Sequence, residues 1–297
     1  MAKLLKVRGT QHDPNDPFES LLLLTLRGPV VFEGLWNEQI QFTESQWKEL
    51  VENHWDNDRR PEGILMRCMA KIPTYILRGR QVLRGETIDP TLAQEVSTVY
   101  HQLLQTQKNV RTRIEDLKRR IPFSGPQAGM LNEICDATTR IYTFLLAIVI
   151  LAGCVLGAIA GFTLELQGVL NSCASEVISY VPWAQKYRPL GASYMLLSLS
   201  MAWAGTNDPA LKAKLQEAYI DQSYDFPGDR DIDSIIESLD LGAKKFMRLG
   251  VDSTCYQSNK DRLEQAMQVH VRTSDDGREN TVEAAQECGL VSQFREL

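Results

Sequence analysis

The stretch IYTFLLAIVILAGCVLGAIAGFTL (residues 141–164) decides the fold, because it is long, apolar and free of charged side chains. It exceeds the roughly 20 residues that a helix needs to cross a bilayer, so it fits either a membrane span or the central helix of a helical domain. No basic cluster flanks it to set an orientation in a membrane. Residues 1–28 carry Asp13, Asp16 and Glu19 rather than a secretory signal. We therefore expect a buried central helix and no stable membrane span.

Glycine recurs at every fourth position of this stretch, at Gly153, Gly157 and Gly161. Residues at this spacing lie along one face of a helix. A row of small residues either lets another helix approach closely or leaves open space beside the helix. Open space could hold an apolar ligand, whereas a close-packed face could join two helices of one chain or two copies in a homodimer.

Composition excludes several classes of function. A net charge of −6 and a pI near 5.4 give no electrostatic reason to bind nucleic acid. No two of the six cysteines lie closer than 19 positions, so no zinc-binding cysteine pair exists. The chain has no P-loop, dinucleotide-binding fingerprint, G-x-S-x-G or H-E-x-x-H motif. Without a secretory signal, we expect a reducing, cytoplasmic compartment.

Helical periodicity recurs from end to end, and no alternating apolar run is long enough for a sheet. Pro182 and Pro189 predict a break between a helix ending near Val181 and the next helix, Leu190 to Ala204. Three signals predict helix starts: the capping box from Thr43 to Gln46, Asp89-Pro90 before a helix to about Ile121, and Asn207-Asp208-Pro209.

These patterns predict an all-α fold, with a single large helical domain around the central apolar helix and no sheet. We place the domain at residues 17–272. A flexible N-terminus (residues 1–16) precedes it, and a polar tail with a short helix (residues 273–297) follows it.

Several stretches resemble the helical regulatory domain of fungal zinc-cluster transcription factors. They are SLLLLTLRGPVVFEGLWN (20–37), RCMAKIP (67–73), RIYTFLLAIVIL (140–151) and KYRPLG (186–191), with Ala202-Trp203 and Asn207-Asp208-Pro209. The similarity extends over about residues 17–225. That family holds DNA through an N-terminal cluster of six cysteines and zinc, which this chain lacks. We therefore expect either a regulatory domain that acts through partner proteins or a helical domain recruited to another task.

The chain is also similar to a recruited group, the noncanonical humulene synthases of fungal tropolone sesquiterpenoid pathways. These all-α enzymes cyclise farnesyl diphosphate with Mg²⁺ and lack the usual aspartate-rich signature. A lysine near the C-terminus binds the diphosphate, and a Leu or Met four residues earlier governs the double-bond geometry of the product. Leu241 and Lys245 have this spacing. The resemblance therefore implies that Lys245 is catalytic and that Leu241 contacts the substrate.

Three carboxylates are candidate ligands of Mg²⁺, which stabilises a leaving diphosphate. Asp233 and Glu237 precede Leu241 at intervals of four residues and so share its helix face. Glu176 is the third, because S-x-x-x-E (residues 172–176) is half of the second metal motif of class I terpene cyclases, with glycine at 168 in place of asparagine. The alternative interpretation is a set of solvated side chains that pair with one another.

Arg140 stands where the apolar stretch begins, so it could bind a diphosphate or pair with Asp136 one turn earlier. Gly157 and Gly161 would leave room for the prenyl chain. Together these residues predict a magnesium-dependent, class I-type sesquiterpene cyclase that converts farnesyl diphosphate to a humulene-type hydrocarbon plus diphosphate. The alternative is the regulatory or interaction domain of a zinc-cluster transcription factor without its DNA-binding cluster.

Overall fold

The computed structural model describes residues 16, 18, 30–31, 33–35, 40, 42–52, 61–121, 126–192, 194–225, 237 and 239. Among these residues are two turns of 3₁₀-helix, Gln185–Tyr187 and Leu190–Ala192. These described residues contain no β-strand, so the predicted all-α fold is confirmed. Seven α-helices have both ends within the described residues: α1 (Glu44–Glu52), α2 (Pro61–Leu83), α3 (Leu92–Arg120), α4 (Pro126–Ala160), α5 (Leu164–Ala184), α6 (Tyr194–Gly205) and α7 (Pro209–Ser223).

The capping signals at the starts of α1 and α7 act as the sequence predicts. Thr43 Oγ1 accepts a hydrogen bond from Gln46 N at 3.2 Å, and Gln46 Oε1 accepts one from Thr43 N at 2.9 Å. This is the reciprocal pair of a capping box. At α7, the Asp208 carboxylate accepts hydrogen bonds from the first free N–H groups of the helix, and Pro209 occupies the first turn.

Helix α3 begins at Leu92, slightly later than Asp89-Pro90 predicts. The Asp89 carboxylate is held by Arg78 of α2, with N–O distances of 2.8 and 3.1 Å. Arg78 also binds Glu95 in the first turn of α3. This ion-pair cluster fixes the α2–α3 connection, and Arg78 holds the pKa of both carboxyls below their ordinary values.

Other helix bounds differ from the sequence-based prediction. Helix α4 stops at Ala160 rather than continuing to Leu164, while α5 passes through Pro182 to Ala184. Helix α6 begins at Tyr194 rather than Leu190, and α2 was not predicted as a helix. The N-terminal segment 1–15 and the tail 273–297 lie outside the described residues.

The central helix α4 is buried along its apolar half. Every residue from Leu145 to Ile150 is fully buried, and α4 packs against α2, α3, α5 and α6. By length and composition it could cross a membrane, but 78% of its most apolar window is buried inside the protein. This packing agrees with the prediction of a buried core helix rather than a membrane span.

Short connections make α3, α4 and α5 antiparallel, so residues distant in the sequence meet across neighbouring helices. Between the middle of α4 and the last turns of α5 lies a region that we call the polar end, where Tyr142 of α4 contacts Gln107 of α3 and Glu176 of α5. Ser198 of α6 contacts Thr143 beside this region, and the end of α7 is joined to it through Arg188. At the opposite end, Gln167 Nε2 of α5 donates a hydrogen bond to the carbonyl of Gly205 at 2.9 Å.

Arg188 joins the α5–α6 connection to α7 at the polar end. Its guanidinium donates hydrogen bonds to the carboxylates of Asp221 and Asp225 and to the backbone carbonyl of Asp221. These bonds hold the pKa of Asp225 below its ordinary value. Because both carboxylates and the carbonyl are engaged by one cation, Arg188 serves to fix the fold here.

Candidate functional site

The structure describes five of the eight predicted site residues. Asp233, Leu241 and Lys245 lie outside the described residues, so their predicted functions stay predictions. Glu237 is helical and exposed. The remaining four lie on or beside α4 and α5, where they are divided between the two ends of the domain. They are Arg140, Gly157, Gly161 and Glu176.

The space beside Gly157 is filled by Phe162. A Cβ atom on Gly157 would lie 2.3 Å from the Phe162 ring, closer than any real contact. Gly153 is covered in the same way by Leu170 and Tyr100, at 2.6 and 3.2 Å. Of the two interpretations of the glycine row, close packing therefore holds for Gly153 and Gly157, and the neighbours belong to the same chain.

Gly161 does not extend the glycine row, because α4 ends one residue before it. Its φ of +95° is one that side-chain-bearing residues rarely adopt. Its N–H donates to the carbonyl of Gly157 at 2.9 Å, which is the hydrogen bond of an αL helix cap. Phe162 then turns back onto the last turn of α4, as apolar residues after such caps commonly do.

The predicted contacts for the prenyl chain and for the diphosphate are far apart on α4. Seventeen positions separate Arg140 from Gly157. At 1.5 Å per residue this is about 25 Å along the helix axis. Arg140 and Glu176 lie at the polar end, and the two glycines lie at the opposite end. The polar end is therefore where the described part of the chain gathers groups with chemical function.

Glu176 is held in a buried hydrogen-bonded chain that crosses three helices. Gln107 Nε2 donates to Tyr142 Oη at 2.9 Å, and Tyr142 Oη donates to Glu176 Oε1, also at 2.9 Å. The other carboxylate oxygen of Glu176 lies 3.8 Å from the guanidinium of Arg111. Burial and the Glu176 carboxylate raise the pKa of Tyr142, so its hydroxyl stays a donor. The result is an oriented carboxylate whose side chain is 18% exposed.

An aromatic series runs from this carboxylate along α5 to the connection with α6. The ring centres of Tyr142 and Tyr180 are 5.7 Å apart, those of Tyr180 and Trp183 are 6.4 Å apart, and those of Trp183 and Tyr187 are 5.0 Å apart. The first two pairs are edge-to-face, the arrangement that the ring quadrupole favours. Aromatic faces attract cations, so this series provides a surface for a positively charged group.

Asp136 pairs with Lys186 across the helix junction. Lys186 Nζ lies 3.0 Å from both carboxylate oxygens, and Trp183 Nε1 donates to one of them at 3.1 Å. Burial acts to raise the pKa of Asp136, but the nearby Tyr187 hydroxyl and the hydrogen bonds from Lys186 and Trp183 outweigh it, so the pKa is lowered. From the sequence, an ion pair between Asp136 and Arg140 is one possibility. The structure instead pairs Asp136 with Lys186, which is far away in the sequence.

Arg140 is exposed and packs on an aromatic ring instead. Its guanidinium carbon lies 5.4 Å from the centre of the Tyr187 ring, and Lys186 Nζ lies 4.8 Å from the same centre. Arg140 has no carboxylate partner among the described residues. A guanidinium that is exposed and has no carboxylate partner can bind an anion from solvent.

The described residues do not assemble a complete metal site. No group of three or more His, Cys, Asp or Glu side chains lies close enough together to hold an ion within the described part of the chain. Glu176 is a carboxylate of the kind that Mg²⁺ prefers. Its predicted co-ligand Asp233 lies outside the described residues.

Sequence reasoning missed most of the polar end. It did not assign Gln107, Tyr142, Tyr180 or Trp183, because each sits in a helical pattern typical of an ordinary core. Lys186 enters the sequence-based prediction only as part of the KYRPLG stretch (186–191). The signal that was present is the density of aromatic and basic residues in YVPWAQKYR (residues 180–188), which is high for a connection between two apolar helices.

A small concave feature lies between α1 and α2. It is a cavity of about 80 Å³ lined by apolar side chains, including those of Phe42, Trp47 and Ile76, together with Arg80. This volume holds only a few atoms and is far too small for a fifteen-carbon chain.

The sequence matches no protein-family model, no curated protein and no solved structure.

Proposed function

We propose that this chain is a magnesium-dependent, class I-type sesquiterpene cyclase that converts farnesyl diphosphate to a humulene-type hydrocarbon plus diphosphate. The observation that carries the proposal is the arrangement at the polar end. There, Arg140, whose guanidinium has no carboxylate partner among the described residues, lies at one end of an aromatic series whose other end contacts the Glu176 carboxylate.

The first step breaks the bond between the allylic carbon and the diphosphate oxygen, and the oxygen keeps the bonding electrons. Cations must stabilise the charge that develops on the diphosphate. Arg140 is exposed and has no carboxylate partner in the described part of the chain, so its guanidinium can stabilise that negative charge. The resemblance adds Lys245 as a second cation.

Bound Mg²⁺ would add positive charge at the Glu176 end of the aromatic series. Glu176, Asp233 and Glu237 are the residues proposed to hold it. Glu176 suits this task because the hydrogen bond from Tyr142 fixes one carboxylate oxygen at 2.9 Å. The other oxygen lies 3.8 Å from Arg111, a distance that leaves its lone pairs available to an ion.

The allylic carbocation that remains needs surroundings that stabilise it and exclude water. Lys186 lies over the Trp183 ring, and both Lys186 and Arg140 lie over the Tyr187 ring. Among the three rings between these cations and Tyr142, Tyr180 therefore offers the aromatic face for this purpose. Leu241 is proposed to shape the folded prenyl chain. In this arrangement the glycine row contributes by packing α4 against its neighbours rather than by lining the substrate site.

The experiment is headspace mass spectrometry of the purified full chain given farnesyl diphosphate, with Mg²⁺ and with EDTA. We expect a sesquiterpene peak that EDTA abolishes. Lys245→Ala should remove the peak, whereas the neighbouring Lys244→Ala is the matched control and should keep it. A folded protein that releases no hydrocarbon would overturn the proposal.

A second candidate is the regulatory or interaction domain of a zinc-cluster transcription factor that lacks its DNA-binding cluster. The packing around Gly153 and Gly157 favours it, because the groove that would have held a prenyl chain is filled by Tyr100, Leu170 and Phe162. A zinc-cluster coding sequence immediately upstream of the gene, together with no turnover, would support this candidate over the cyclase.

A further inference from the structure

The first half of α4 leaves an apolar stripe in contact with solvent. Its members recur at intervals of four and three residues, so they lie along one face of the helix. Met130 is 57% exposed and Ile134 is 37% exposed, and the half-buried Ala137 and Ile141 continue the stripe. The stripe is about 16 Å long, or three helical turns. A contiguous exposed apolar surface of this kind is typical of a protein–protein contact.

Two exposed charges border the stripe along the same edge. Glu133 and Arg140 are seven positions apart, so they lie two turns apart on one side of α4. This separation is too large for an ion pair within one helix, where partners are three or four positions apart. Neither residue forms an ion pair with the described residues. The edge therefore carries one acidic and one basic group, each available to another molecule.

We propose that the stripe binds the same stripe of a second copy of the chain, with the two α4 helices antiparallel and related by a twofold axis. Ile134 then faces Ala137 of the second copy, and Met130 faces Ile141, because both pairs are symmetric about the same point on the helix. A twofold axis makes each packing pair occur twice. The glycine row, which the sequence offers as a homodimer surface, is covered at its two helical positions by side chains of the same chain.

Charge complementarity selects a second copy and the antiparallel direction. Charges beside an apolar seam set the orientation of paired helices, and in an antiparallel pair the same edges face each other. Glu133 therefore meets Arg140 of the second copy, and the twofold axis forms this ion pair twice. In a parallel pair, Glu133 would face Thr138 and Arg140 would face Leu145, so both charges would stay unpaired.

This dimer goes beyond the proposed function and is compatible with the diphosphate contact proposed for Arg140. A guanidinium has five N–H donors, arranged so that two of its edges can each bind an anion. Arg78 of the same chain binds in this way, with Asp89 on one edge and Glu95 on the other. Arg140 can likewise bind Glu133 of the second copy with one edge and keep the other for a diphosphate.

The test is sedimentation velocity of the full chain, without substrate, over a range of protein concentrations. We expect a dimer that dissociates on dilution, because the stripe is short. Met130→Glu should raise the dissociation constant about tenfold, because it places a carboxylate in the apolar contact. Leu164→Glu is the matched control and should leave the dissociation constant unchanged. It makes the same change at a residue that is 95% exposed in the first turn of α5.

Charge reversal tests the antiparallel pairing. Glu133→Arg and Arg140→Glu should each weaken the dimer about tenfold, because each single change brings like charges together at both ends of the contact. The double variant E133R/R140E restores opposite charges and should recover the wild-type dissociation constant. Because the two residues do not pair within one chain, this recovery reports a contact between copies.

Three outcomes overturn the proposal. One is a folded wild-type chain that stays monomeric at every concentration. Another is an equal effect of Met130→Glu and Leu164→Glu, since the stripe would then contribute nothing specific. The third is a double variant that dimerises no better than either single charge reversal. Circular dichroism of each variant establishes that the helices are intact before sedimentation.

Discussion

The Phe162 ring lies against the α-carbon of Gly157, so that a Cβ atom at Gly157 would come within 2.3 Å of it. The two residues flank the end of α4, and the cap at Gly161 brings them together through the hydrogen bond from its N–H to the Gly157 carbonyl. The absence of a side chain at Gly157 is therefore what allows the turn between α4 and α5 to close.

Gly157→Ala should lower the free energy of unfolding by about 1 kcal/mol, because the added methyl group displaces the partly exposed Phe162 ring and the higher helix propensity of alanine offsets part of that cost. Urea denaturation measures this. Gly168→Ala is the matched control: Gly168 lies inside α5, is exposed, and has no atom within 4 Å of its added Cβ. That change should stabilise the chain by about 0.5–1 kcal/mol. Equal effects of the two substitutions would contradict the packing described here.

Periodicity and capping signals predicted the all-α class, the burial of the central helix and the starts of α1 and α7. These features depend on local chemistry, such as the reciprocal hydrogen bonds of Thr43 and Gln46. The end of α4 was misplaced because the apolar stretch continues past Gly161, and only the backbone conformation of that glycine shows where the helix stops. The four-residue spacing from Gly157 predicts that Gly161 lies on the same helix face, but α4 ends at Ala160, one residue earlier.

The polar end could not be predicted because its contacts join residues far apart in the chain. Tyr142 and Glu176 are separated by more than 30 positions, as are Tyr142 and Gln107. A helical pattern identifies each residue's face but not its partner on another helix. Asp136 illustrates the limit: its neighbour one turn along the helix is Arg140, yet it binds Lys186, which is 50 positions away.

Tyr142→Phe should destabilise the chain by about 1–3 kcal/mol, because it leaves the Gln107 amide and the Glu176 carboxylate without their shared partner. Tyr100→Phe is the matched control. Tyr100 is a similarly buried tyrosine whose hydroxyl makes no hydrogen bond with the described residues, so its removal should cost nothing measurable. Chemical denaturation of both variants is the measurement, and a larger loss in Tyr100→Phe would count against the hydrogen-bonded chain.

Stability should fall as the pH drops below about 4, the range in which carboxyls of the unfolded chain titrate. The pKa values of Asp89 and Glu95 are lowered in the folded state, chiefly by hydrogen bonds from Arg78. At pH values between the folded-state and unfolded-state pKa of these carboxyls, the unfolded chain binds more protons than the folded chain. The stability that the two carboxylates contribute above their unfolded-state pKa is therefore lost as the pH falls. The free energy of unfolding at pH 7, 5, 4 and 3 measures this loss.

Arg78→Ala should flatten this pH dependence, because the two carboxyls then titrate at nearly the same pH in both states. Arg84→Ala removes an arginine whose distance to Glu86 is 3.8 Å on the exposed surface, and it should leave the pH profile unchanged. A profile that keeps its full slope in Arg78→Ala would show that other carboxyls are responsible for the acid sensitivity.

Steady-state kinetics with farnesyl diphosphate and Mg²⁺ measure most directly whether the polar end binds the diphosphate of a prenyl substrate. The wild-type chain, Arg140→Ala and Arg84→Ala are measured side by side. We expect turnover by the wild type, a KM raised about tenfold in Arg140→Ala, and an unchanged KM in Arg84→Ala. The same KM in all three proteins, or no consumption of substrate by folded wild-type protein, would contradict this expectation.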